Sequence, residues 1–151
     1  MQFPYQEYPR VPSEAFPDLT VRLVPMIPVI LSAGKKPIQI DALVDSGADS
    51  CIFPGMLGVA LGIDVHKGPI QRISGLGGRI IEARFHNIQL KLGKIDCKIY
   101  AGFSFDTIGI TGLLGQRGFF ENFRVTFDRQ NRCVIIHPKN IFNNLFARAG
   151  I

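Results

Sequence analysis

At 151 residues the chain is long enough for one domain with a real core and short for two. Its 46% hydrophobic and 19% charged residues fit a globular protein and exclude a disordered one. The net charge of +5 comes from scattered residues: Lys35-Lys36 is the only adjacent basic pair, and no basic run interleaves with aromatics, so no nucleic-acid groove is expected.

Residues 1–18 read as an N-terminal arm, because Pro4, Pro9, Pro12 and Pro17 oppose regular structure. From Thr20 the pattern turns to strands. Ile27 to Leu31 is apolar, residues 32–36 turn, and Ile38, Ile40, Ala42 and Val44 alternate along a strand that runs into Asp45. Pro54 suits the first turn of a helix in which Leu57, Ala60 and Leu61 share a face and Gly62 is the stop. Gly55 and Gly58 weaken that helix, so it should be short. Ile81, Ala83 and Phe85 alternate, as do Ile88, Leu90 and Leu92. Gly93-Lys94 then turns the chain into Ile95, Cys97 and Ile99. Phe123, Val125 and Phe127 form another strand, residues 128–131 a turn, and residues 133–136 return. Closely spaced strands with one short helix predict a closed β-barrel. The tail, residues 138–151, carries Ile141, Phe142, Leu145 and Phe146 on one helical face.

Three dispersed cysteines, Cys51, Cys97 and Cys133, make a poor disulfide framework and suit a reducing compartment. His66, His86 and His137 have no ligand-type spacing with them, so neither a metal nor another cofactor is expected. Residues 1–12 lack a basic stretch followed by an apolar core, so no signal peptide is expected. The apolar stretch from Leu23 to Leu31 is too short for a bilayer and holds Pro25 and Pro28. A cytoplasmic protein without membrane contact is the expectation.

The segment that carries chemistry is Ala42-Leu43-Val44-Asp45-Ser46-Gly47-Ala48-Asp49-Ser50. Alone, Asp-Ser-Gly is a turn sequence. Placed at the end of an apolar strand, it delivers a carboxylate beside the core, and Gly47 leaves room for an extended backbone to approach. The stretch Val44-Asp45-Ser46-Gly47-Ala48-Asp49 resembles the active-site signature of retropepsins, the retroviral-type aspartic proteases. Ile73-Ser74-Gly75-Leu76-Gly77-Gly78 is similar to the glycine-rich tip of their flap hairpin. Leu113-Leu114-Gly115 is similar to the hydrophobic-hydrophobic-glycine motif behind their catalytic loop. The strand around Phe123 to Asp128 and the helix after Pro54 look like those of bacterial single-domain members. Three motifs in the right order are more specific than any one of them.

The resemblance implies a mainly β, retropepsin-like closed acid-protease β-barrel with one short helix and a single lobe per chain, spanning residues 19–137. It implies that Asp45 is the catalytic acid. Ser46, Gly47, Ala48, Leu113, Leu114 and Gly115 would support the active-site loop. Gly47, Asp49, Ser50, Gly75, Leu76, Gly77 and Gly78 would bind substrate, the flap glycines from above. One departure stands out: where many retroviral members place an arginine after Leu-Leu-Gly to pair with the second aspartate, this chain has Gln116, and Arg117 follows.

This chemistry needs two carboxylates sharing a proton. The chain has one Asp-Ser-Gly, and Asp106-Thr107 is followed by Ile108 rather than glycine. The second carboxylate is therefore expected from Asp45 of another copy, in a homodimer acting on a peptide or protein substrate. The alternative is a non-catalytic module of the same fold used for dimerisation or peptide binding.

Overall fold

The computed structural model describes residues 1–75, 77–106, 109 and 111–139. In chain order the strands begin with β1 (Gln2–Pro4), β2 (Gln6–Pro9), β3 (Val21–Val24), β4 (Met26–Ser32), β5 (Ile38–Val44) and β6 (Ile52–Pro54). Helix α1 (Gly55–Ala60) and a 3-10 turn (Val65–Lys67) follow, then β7 (Ile70–Ser74), β8 (Ile80–Leu92) and β9 (Ile95–Ser104). The chain continues with β10 (Leu113–Leu114), β11 (Phe123–Asp128) and β12 (Cys133–Pro138).

Six strands close a barrel in the order β4-β5-β10-β6-β9-β8, and β8 pairs back onto β4. Two of the contacts, β5 with β10 and β6 with β9, are parallel, and the others are antiparallel. β7 adds to β8 outside the ring. A second sheet, β1-β12-β11, covers one side, and β2-β3 form a separate hairpin. The alternation seen in the sequence explains the inward face. Ile27, Val29 and Leu31 of β4, and Ala42 and Val44 of β5, are buried, as are Leu90 and Leu92 of β8 and Ile99, Ala101 and Phe103 of β9. They join Phe119, Phe123, Val134 and Ile136 in one core, so barrel and second sheet share an interior. Each large apolar side chain buried there contributes about 1.5–3 kcal/mol.

The hairpin between β8 and β9 closes through Gly93-Lys94, with Leu92 opposite Ile95 and Gly93 at φ 58°, the left-handed value that a two-residue turn needs. α1 ends at Leu61 and Gly62, whose φ of 87° stops it. Pro54 precedes the helix as its N-cap rather than entering its first turn. Gly55 and Gly58 are there for packing. A Cβ at Gly55 would lie 2.6 Å from the Phe105 ring, and one at Gly58 would lie 2.7 Å from Val65.

The expectation for residues 1–18 is corrected. Residues 1–18 are not without regular structure, since β1 pairs with β12 and β2 with β3. Pro4 and Pro9 are the last residues of their strands, where a missing N–H interrupts no ladder. The alternations at 81–85 and 88–92 belong to one continuous strand, β8. The phase changes because Ile88, Leu90 and Leu92 face the barrel, whereas Ile81 and Phe85 face an open cleft. The expected helical face of Ile141, Phe142, Leu145 and Phe146 lies outside the described residues.

Candidate active site

β5 ends at Val44 and hands the chain to a tight loop, residues 45–50, which returns through β6. Asp45 is half-buried. Its Oδ1 accepts the Gly47 N–H at 2.9 Å, and the Ala48 N–H donates to its carbonyl at 3.3 Å. These turn bonds fix the carboxylate plane. Among the described residues no other group donates to the carboxylate, so Oδ2 is left to the cleft.

The loop is held from behind by residues 113–117. β10 lies between the two arms of the loop, with Leu113 opposite both Leu43 and Ile52. The Asp45 N–H donates to the Leu114 carbonyl at 3.1 Å. Further on, the Gln116 N–H donates to Ala48 O at 2.8 Å and the Arg117 N–H to Asp49 O at 2.9 Å. Gly115 is required for this close pass, because a Cβ there would sit 2.4 Å from Ser50 O and 2.7 Å from Ala48 O. Beside this crossing lies Cys51, whose thiol is pushed up to about 12 by burial, partly offset by hydrogen bonds from the backbone of Gly115 and Phe119.

An open cleft of about 1560 Å³ rises from the loop. Asp45, Gly47, Ala48, Asp49, Ser50 and Leu113 line its floor, and Gly75 lines it from the β7–β8 hairpin. Leu114 and Gly115 are buried behind the floor, Ser46 is exposed on the loop outside the lining, and Gly77 and Gly78 are at the hairpin tip, beyond the lining. Leu76 lies outside the described residues. At the tip, Gly77 and Gly78 have φ of 90° and 75°, and the Gly78 N–H donates to Gly75 O at 3.1 Å. The base of the hairpin is braced: Asp106 Oδ2 accepts the Glu82 N–H at 3.0 Å, and Arg84 donates to His66 O at 2.6 Å.

Sequence reasoning missed the apolar wall of Ile70, Ile73, Ile81 and Phe85, and it missed Gln116 as a structural tie. Ile81 and Phe85 share a face of β8 and Ile73 of β7 lies opposite Ile81, but alternation does not say which face meets a cleft. Gln116 Nε2 donates to Ser46 O at 2.7 Å. Asp49 takes part in none of the ion pairs found among the described residues, and Arg117 meets it only through the backbone.

The aspartyl protease family model matches residues 27–117, which is well over half of the chain and contains the whole loop, hairpin and crossing just described. The chain belongs to the aspartyl protease family. Among solved structures, this aspartyl protease is similar to a retropepsin-like aspartic protease from Rickettsia conorii. The identity is 20% over 74% of this chain and 89% of that one, with a TM-score of 0.56, so the retropepsin-like fold is shared. Weaker likenesses are to the EIAV protease complexed with the inhibitor HBY-793 (21% identity, 62% of this chain and 82% of that one, TM-score 0.46) and to the retroviral protease-like domain of Ddi1 from Leishmania major (20% identity, 78% and 98%, TM-score 0.45). No curated protein matches the chain by sequence. In this aspartyl protease no described helix is long and apolar enough to cross a membrane.

Proposed function

We propose that this aspartyl protease is an endopeptidase whose active site is assembled from two copies, each supplying Asp45. The observation that carries this reading is the Asp45 carboxylate itself. It is oriented by the Gly47 N–H and otherwise open on the floor of a cleft beneath a glycine-tipped hairpin. Asp-Ser-Gly occurs once in the sequence, so a second such carboxylate has to come from a second chain. The other acids of the cleft do not fit the part: Glu121 is turned to the Gly118 N–H at 3.0 Å, and Asp49 is exposed at the loop's far end.

Two carboxylates a few ångströms apart do not both ionise readily, so one proton is shared and the pair titrates as a unit. The ionised member takes a proton from a water held between them. The protonated member hydrogen-bonds the scissile carbonyl as the water attacks. Ser46 would tie the two loops together across the two-fold axis, and Gly47 would admit the substrate backbone. Gly75, Leu76, Gly77 and Gly78 would close over it as a flap, and Asp49 and Ser50 would contact its ends. The apolar wall of Ile70, Ile73, Ile81 and Phe85 supports a substrate bound as an extended peptide with apolar side chains. The three unpaired, buried cysteines support a reducing, cytoplasmic setting.

The test is cleavage of a peptide library by the purified protein, with Asp45→Asn alongside. Cleavage by the wild type and none by the variant is the expected result. A wild type that binds peptides without cleaving them would leave a binding module of the same fold.

A further inference from the structure

The hairpin formed by β2 and β3 has no evident task in the barrel. It is a two-stranded sheet of its own, with Gln6 opposite Val24 and Pro9 opposite Val21, extended by the Arg10 N–H to Thr20 O bond at 2.8 Å. Only its base is fastened. Tyr8 hydroxyl reaches Met26 Sδ at 3.1 Å, Glu7 meets Arg132 at 4.0 Å, and Val24 is buried. Every residue from 11 to 22 is exposed. Four of these are sizeable hydrophobes: Val11 at 86%, Phe16 at 54%, Leu19 at 40% and Val21 at 37% exposure. An isolated two-stranded hairpin is marginal in water, and one that displays its apolar side chains is more so.

The place of the hairpin says what it meets. The Val44 N–H donates to Pro25 O at 2.9 Å, so β3 joins the barrel at the Asp45 end of β5, about one strand spacing (~4.8 Å) from the catalytic loop. β4 runs away from Asp45, and the hairpin leaves the barrel at that same end. A two-fold axis that brings two Asp45 carboxylates together therefore brings the roots of two hairpins close to it. Four paired residues at ~3.3 Å each give an arm of roughly 13 Å before its loop, enough to cross to the other copy. Charge agrees. The hairpin holds Glu7, Glu14 and Asp18 against Arg10 and Arg22, one acid in excess, on a chain whose net charge is +5.

We propose that the hairpin of residues 6–24 is a dimerisation arm, docking Val11, Phe16, Leu19 and Val21 on a second copy of this chain beside the paired Asp45 loops. This rests on the two-copy reading of the active site. The same arm on each copy makes the contact isologous, so it closes at two subunits.

Two variants test it. One is the triple substitution Val11→Asp, Phe16→Asp and Leu19→Asp, all at exposed positions. The other replaces residues 11–19 by a two-residue turn between the bonded Arg10 and Thr20. Sedimentation should show the dimer dissociation constant rising at least tenfold in both, with unchanged far-ultraviolet circular dichroism. Specific activity should return at high protein concentration, because mass action restores the dimer. An unchanged dissociation constant in both variants overturns the arm, whether KM rises or not, and so does a wild type that sediments as a monomer throughout. If the variants weaken the dimer but the wild type cleaves nothing, the arm stands and the peptidase reading falls. If the wild type cleaves peptides and the variants dimerise as well as it does, the reverse holds.

Discussion

The side-chain amide of Gln116 donates to the carbonyl of Ser46 at 2.7 Å, while its backbone N–H donates to Ala48 O at 2.8 Å. One residue thus holds the Asp45 loop on both sides of Gly47 with no charge involved. Gln116→Ala should lower kcat about tenfold with little change in KM, because the Asp45 loop loses its orientation rather than its substrate contacts. Gln116→Glu is sharper. An ionised carboxylate cannot donate to Ser46 O, whereas a protonated one can. The ratio of variant to wild-type kcat should therefore recover as pH falls below about 4.3, the ordinary glutamate value. A ratio that does not change with pH would show that the amide bond has no part in positioning the loop.

The proposed pairing of two Asp45 residues in one site makes a quantitative prediction about mixtures. With equal amounts of wild type and Asp45→Asn and random pairing, about one dimer in four carries both acids. Activity per wild-type chain should fall to about half, and further as the variant is added in excess. Activity that only scales with the amount of wild type would mean that one chain suffices.

Gly77 and Gly78 occupy left-handed backbone with open space around them, so alanine costs backbone strain of ~1–2 kcal/mol and no clash. Each substitution should slow peptide cleavage about tenfold, with a Tm shift of roughly 2–8 °C that Gly34→Ala should match. Gly34→Ala is the control. It has φ 97° and open space too, but it sits in the β4–β5 turn away from the cleft, and turnover should be unchanged.

Gly115 and Gly47 should fail in different ways. Gly115→Ala drives a Cβ into two backbone carbonyls and should destabilise the fold by about 3 kcal/mol or more, read by urea denaturation. Gly47→Ala meets only Asp45 Oδ1, at 3.3 Å, so stability should change by less than ~1 kcal/mol while activity is lost.

Cys51 gives a pH dependence of stability. Its thiol ionises at about 12 in the fold and at about 9.0 when unfolded, so the unfolded chain loses the proton first. The stabilisation is complete below pH 9 and is lost as pH rises toward 12, by up to ~1.4 kcal/mol per unit. Cys97, raised to about 11 by burial, adds to the slope over the first part of that range. Denaturation of Cys51→Ala from pH 8 to 11 should show a shallower slope than wild type.

What was legible in the sequence was what repeats or what is chemically singular. Ile38, Ile40, Ala42 and Val44 alternate, so β5 and the delivery of Asp45 could be read directly. The two residues of β10 have no period at all. They are a strand because β5 and β6 flank them, and only the Leu-Leu-Gly motif pointed to them. β6, at three residues, is nearly as short and rests on a parallel pairing with β9. Pro4 and Pro9 misled because proline opposes a strand's interior but not its end. Gln116 was noticed for the arginine that it replaces. Its hydrogen bond to Ser46 depends on the crossing of two segments 70 residues apart.

The pairing of β1 with β12 sets an order of events during synthesis. Gln2 lies opposite Ile135, so β1 has to wait for β12 before its ladder can form. At about 5–20 residues per second that wait is roughly 7 to 27 seconds on a ribosome, during which Phe3 and its neighbours stay without a partner. The barrel strands β4, β5, β8 and β9 pair across shorter separations and should form first. The covering sheet closes last: a chain truncated before β12 lacks Val134 and Ile136, which seal the core shared with the barrel.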